Sequence, residues 1–148
     1  MCTGDADTKI VATALEVAKQ QEVTVVADDT DVAVMLLYHW TEDLCDIKFY
    51  TERGKKCWSI KESQKPLANV KECILFIHAW FGCDSTSSIF GKVKPSCFIL
   101  VSKSQSMQRI AKIMSDQSAT LEEVADVSIK AFKEQYGGKS SESLTRMR

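Results

Sequence analysis

The stretch Val23-Thr24-Val25-Val26-Ala27-Asp28-Asp29-Thr30-Asp31 constrains this chain more than any other. A β-branched apolar run of this kind reads as a buried strand. It ends on three carboxylates within four residues. Two carboxylates about 4 Å apart at an effective dielectric near 20 repel by roughly 4 kcal/mol. More acids can converge on the same strand end: Asp5 and Asp7 before it, and Asp84 after it in Gly82-Cys83-Asp84-Ser85. Such a cluster needs protons, basic partners or a divalent cation. The expectation taken forward is the cation.

The chain offers a limited scaffold for that site. At 148 residues it is expected to form one domain with a single core. No apolar run approaches the roughly 18 residues of a spanning helix, so no membrane partner is expected. Met1-Cys2-Thr3-Gly4 lacks a basic n-region and an apolar h-region, so an intracellular chain is expected. Cys2, Cys45, Cys57, Cys73, Cys83 and Cys97 include no C-x-x-C pair, and His39 and His78 stand apart. That spacing argues against zinc and for buried free thiols in a reducing compartment.

Charge is unevenly distributed. Residues 1–46 hold ten acids and two bases, and residues 47–112 hold twelve bases and four acids. An acidic segment followed by a basic one fits a metal site beside a phosphate-binding surface. It also fits a solvated lysine face made by Lys55, Lys56, Lys61 and Lys65.

Periodicity predicts a helix capped by Asp7 or Thr8 and running to about Gln20, then the strand 23–27. Asp29 is positioned to cap a second, very apolar helix from Asp31 to about His39, whose run 32–37 also suits a strand. Residues 47–50 and 56–60 alternate as a hairpin, with Gly54 expected to take positive φ in the turn. A long helix from Pro66 or Leu67 to Phe81 should end at Gly82. Asp84 or Ser85 can cap the next helix, which Gly91 breaks. Helices follow over about 95–103, 105–115 and 120–136, the last opened by a Thr120/Glu123 capping box. Residues 137–148 read as a polar, frayed tail. The fold class is α/β with a small sheet and flanking helices, followed by a helical carboxyl-terminal region.

In open α/β sheets, sites form beyond the carboxyl ends of the strands, where Asp28, Asp29 and Asp31 fall. Mg²⁺ and Mn²⁺ take oxygen ligands, and carboxylates from separate loops supply them. A pair of such ions can activate water for phosphodiester hydrolysis. Taken singly, Asp5, Asp7 and Asp84 suit helix caps, and Asp28 suits solvent or a cap. His78 and Trp80 read as helix packing residues. A phosphoacceptor receiver domain would need a lone Asp and then a Lys after later strands. A haloacid-dehalogenase-type phosphatase would need a Thr or Ser where Ala33 and Val34 stand.

The order of these motifs resembles the flap-endonuclease (XPG-type) nucleases of the PIN-like superfamily. Gly4-Asp5-Ala6-Asp7 is similar to that family's Gly-Glu-Ala-Glu, Asp28-Asp29-Thr30-Asp31 to its acidic strand end, and Gly82-Cys83-Asp84 to its Gly-Cys-Asp. Residues 89–94, Ile-Phe-Gly-Lys-Val-Lys, resemble the start of its phosphate-gripping helix-turn-helix, here within 83–115. His78-Ala79-Trp80-Phe81-Gly82-Cys83-Asp84 is closer still to a little-described animal PIN-like group. The likeness covers roughly residues 4–115, within an expected single domain over 1–136.

The resemblance implies a PIN-like sheet and a structure-specific, Mg²⁺- or Mn²⁺-dependent phosphodiesterase. Asp5, Asp7, Asp29, Asp31 and Asp84 would be metal ligands, with Asp29, Asp31 and Asp84 carrying catalysis. Lys92 and Lys94 would contact nucleic acid, DNA ahead of RNA, in the nucleus ahead of the cytoplasm. The chain departs from the family pattern in three ways. Its first family-like motif is the third acidic one, as though the amino-terminal part of the fold were missing. Asp stands for Glu at 5 and 7. Val93 stands where the family's turn has a second Gly. A second reading therefore stays open: a catalytically inactive PIN-like fragment that binds nucleic acid or protein.

Overall fold

The computed structural model describes residues 5–80, 82 and 94–136, with the side chains of 94–97 excepted. The chain groups into two compact units, Met1–Lys71 and Glu72–Arg148. Each has its own apolar core.

The first unit is built on the run that ends in acids. Helix α1 (Ala6–Ala18) precedes β1 (Val23–Val26), and α2 (Thr30–His39) leads to β2 (Ile47–Thr51) and β3 (Lys56–Ser59). The strands form one sheet in the order β1-β2-β3. β1 and β2 are parallel, with Val23 opposite Ile47 and Val26 opposite Tyr50. β2 and β3 are antiparallel, with Phe49 opposite Trp58. The class is therefore α/β with a small mixed sheet.

The period-2 pattern sorts the residues of β1 and β2 between the faces of the sheet. Val25, Ile47 and Phe49 are buried with Val11, Ala14, Val32 and Leu36 of the helices. Thr24, Val26 and Lys48 alternate with them and are exposed. Val26 is 56% exposed. β1 lies at the sheet edge among the described residues, with β2 as its neighbour.

Turns fix the ends of these elements. Cys45 donates its N–H to the Ala18 carbonyl (2.8 Å), tying the loop before β2 to the end of α1. Trp40 is buried, and its indole N–H donates to the Cys45 carbonyl (3.0 Å). In the hairpin turn, Lys55 rather than Gly54 takes positive φ, at 45°. Gly54 sits close to its neighbours, and a Cβ there would lie 3.0 Å from the Thr51 hydroxyl, which would have to shift.

The expected long helix over 66–81 is broken. α3 (Ile60–Gln64) begins earlier, because the Ser59 hydroxyl accepts the Glu62 N–H (3.0 Å) and Asp46 accepts the Lys61 N–H (3.1 Å). Pro66 lacks an N–H, and the chain tightens into a 3₁₀ turn over Lys65–Leu67. The bonds Ala68 N–H to Lys65 O and Val70 N–H to Leu67 O continue that three-residue spacing. A second 3₁₀ turn, Lys71–Cys73, precedes α4 (Ile74–Trp80). Gly82 has the positive φ, 94°, expected after the helix.

The second unit contains four α-helices among the described residues: α4, α5 (Lys94–Lys103), α6 (Gln105–Ser115) and α7 (Leu121–Gln135). Phe76, Ile77, Val101, Met107, Ile110, Val127 and Ala131 fill its core. Trp80 packs its ring on Phe76 and Phe132 and donates its indole N–H to the Gln135 side-chain Oε1 (3.1 Å). Thr120 and Glu123 form the expected capping box. The Ser104 hydroxyl accepts the Met107 N–H and donates to Glu134. The predicted helix start at 84 or 85, the break at Gly91 and the tail 137–148 lie outside the described residues.

Candidate carboxylate site

Chain direction brings Asp5, Asp7, Asp28, Asp29 and Asp31 of the first unit toward one end. A groove of about 430 Å³ is lined by Lys9, Ile10 and Val17 of α1 together with Val23 and Val26 of β1, so the two elements lie side by side. They are joined by the short turn 19–22 and must run in opposite directions. The start of α1, with Asp5 and Asp7, therefore lies at the carboxyl end of β1, where Asp28, Asp29 and Asp31 follow. Because β2 is parallel to β1, the hairpin turn 52–55 emerges at the same end.

Each carboxylate has local surroundings that the acidic pattern alone did not reveal. Asp5 is the exposed N-cap of α1 and makes no side-chain cap bond. Asp7 is half-buried in the first turn, where unpaired amides favour negative charge. Asp29 is the N-cap of α2, and its Oδ1 accepts the Asp31 N–H at 2.8 Å. Asp31 lies in the first turn of that helix. Asp28 accepts the Arg53 N–H (3.0 Å) and lies 3.8 Å from the Arg53 guanidinium. It ties the end of β1 to the hairpin turn, a role that becomes visible only once β1 and β2 are paired in parallel.

Among the described residues, no three Asp, Glu, His or Cys side chains come close enough to hold a metal ion. Asp5, Asp7, Asp29 and Asp31 share an end of the sheet. Asp84 and Lys92 lie outside the described residues. Lys94 opens α5, and its side chain lies outside what is described. The hairpin turn and the start of β3 bring basic residues to the same end. Arg53 is paired with Asp28, while Lys55 and Lys56 are exposed and form no ion pair among the described residues.

The Thr41 hydroxyl holds the Asp43 carboxyl below its usual range. Ser118 does the same for Asp116. The backbone and hydroxyl of Thr120 lower Glu123. Burial pushes the Cys73 thiol up. Among the described residues, Cys45, Cys57 and Cys73 are free thiols, with Cys73 buried, Cys45 half-buried and Cys57 exposed.

No helix among the described residues is long and apolar enough to cross a membrane. Comparison of the chain with known protein families, with curated proteins and with solved structures finds no match.

Proposed function

We propose that this chain is a PIN-like, flap-endonuclease-type domain that engages nucleic acid, DNA ahead of RNA, as a binding module. The observation that carries this reading is the meeting of the acidic strand end and the basic hairpin turn. Asp28 holds the Arg53 backbone, leaving Lys55 and Lys56 free of carboxylates among the described residues. Ammonium groups on an anchored turn suit phosphate contacts, which position a protein on a nucleic acid without reading its sequence. Lys92 and Lys94 extend the same role by family resemblance.

A second reading, Mg²⁺- or Mn²⁺-dependent phosphodiester hydrolysis, is favoured by the placement of Asp5, Asp7, Asp29 and Asp31 at one end of the sheet.

A salt series of DNA binding, read by fluorescence anisotropy, tests the proposal. Affinity should fall steeply with salt. Lys55→Ala/Lys56→Ala should flatten the log–log slope by about 1.8, at roughly 0.9 per phosphate contact. A flat wild-type response would remove the nucleic-acid role. The same protein is then incubated with flap DNA in Mn²⁺ or EDTA. The binding reading expects no cleavage. Cleavage that requires Mn²⁺ and disappears in Asp29→Ala/Asp31→Ala would reinstate the nuclease.

A further inference from the structure

A cavity of about 590 Å³ opens at the carboxyl end of α2, wholly within the first unit. Because α2 begins at the acidic end of β1 and spans ten residues, this cavity lies about 15 Å away along the helix. Lys61, Lys65 and Lys71 line it. Lys65 is neutralised by Glu62, with its ammonium 2.7 Å from both carboxylate oxygens. Lys61 and Lys71 have no carboxylate within 4.0 Å among the described residues.

Lys71 is a positioned cation. It is half-buried, and its ammonium donates to the Trp40 carbonyl at 2.8 Å, leaving two N–H groups. Gln64 fixes the same wall by donating to the Leu37 and Trp40 carbonyls (2.7 and 2.9 Å). The Leu37 and Trp40 carbonyls at the end of α2 are thus engaged. Glu42 is the single carboxylate on the lining and is exposed. A partly buried ammonium whose partner is a neutral carbonyl gains from a charge-assisted bond to an anion. Lys71 together with the exposed Lys61 matches a phosphomonoester, which carries about −1.5 to −2 charges near neutral pH. A volume in the small-molecule range, with apolar wall from Ala68, leaves room for an organic group beyond the phosphate.

We infer that this cavity binds a small phosphate monoester, its phosphate held between Lys61 and Lys71. The site is independent of the nucleic-acid reading, because it uses neither the hairpin-turn lysines nor the acids at the end of β1.

The test is a titration of the full chain with adenosine monophosphate, inorganic phosphate or adenosine at constant ionic strength, followed by amide chemical shifts. The monophosphate should bind saturably and more tightly than inorganic phosphate, and adenosine should not bind. Lys61→Glu, on the exposed face of α3, should weaken binding at least tenfold with an unchanged unfolding midpoint. Lys71→Arg should retain binding, and Lys55→Ala/Lys56→Ala should leave it unaltered. The inference is overturned if the monophosphate shifts no more signals than matched sodium chloride. It is equally overturned if Lys61→Glu binds like wild type, or if inorganic phosphate binds as tightly as the ester.

Discussion

At the residue scale, Asp29 separates two roles that its position leaves superimposed. As the N-cap of α2 it needs only an oxygen that accepts the Asp31 N–H. Ser supplies that oxygen and Ala does not. Asp29→Ala should therefore cost about 1 kcal/mol of stability and Asp29→Ser much less, in urea denaturation. If Asp29 instead serves a metal, Ser and Ala will both lose any Mn²⁺-dependent response, whatever their stability. The Thr120–Glu123 box gives a pH-dependent counterpart in the second unit. Glu123 has an ordinary value of 4.5, lowered in the folded chain by the Thr120 N–H and hydroxyl. A lowered folded value means that the unfolded state takes up the proton first. The contribution is complete well above pH 4.5 and fades as pH falls through the lower folded value. Thr120→Ala keeps the backbone N–H but loses the hydroxyl, so it should weaken that acid dependence and, as a lost cap, cost about 1 kcal/mol near neutral pH. Denaturation of both proteins between pH 3 and pH 7 measures it.

At the scale of elements, the central strand of the sheet carries the packing of the first unit. Phe49 is 1% exposed and packs against Trp58, ring centres 5.4 Å apart, on the face that meets the helices. Phe49→Ala should cost about 3–5 kcal/mol. Val26, one strand away on the open face, should tolerate Val26→Thr within about 0.5 kcal/mol. Equal losses at the two positions would mean that the open face is covered in solution. The segment after β3 shows how local chemistry overrides a periodic pattern. Ser59 and Asp46 start a helix before the expected place, and Pro66 tightens the chain immediately afterwards. The apolar spacing of 67–81 suggested one helix because it does not register which amides are capped or missing.

At the scale of the whole molecule, the two apolar cores have no residue in common. Phe49 belongs to the first, and fully buried Met107 to the second. The stability losses of Phe49→Ala and Met107→Ala should therefore add to within about 0.5 kcal/mol in the double variant. A larger interaction energy, measured by denaturation of the four proteins of the cycle, would show that the cores are energetically coupled.

The sequence by itself determined the local elements with strong chemistry. These include the β-branched strand before the acids, the Asp29 cap, the hairpin, the Thr120–Glu123 box and the helices over 105–115 and 121–135. Each follows from contacts within a few residues, where propensity and capping decide. It also determined that Asp5, Asp7, Asp29 and Asp31 could approach one another, since an α–β–α order returns the chain to the same end. Only the tertiary structure decided the partner of Asp28, because the parallel pairing of β1 with β2 brings Arg53 to it. The cavity at the far end of α2 was equally hidden, because Trp40, Lys61 and Lys71 are scattered along the chain. Its ammonium groups and carbonyls meet only when the 3₁₀ turns fold back against the end of the helix. The acidic strand end is written in local sequence, whereas its partners are set by strand direction and packing, which no short stretch encodes.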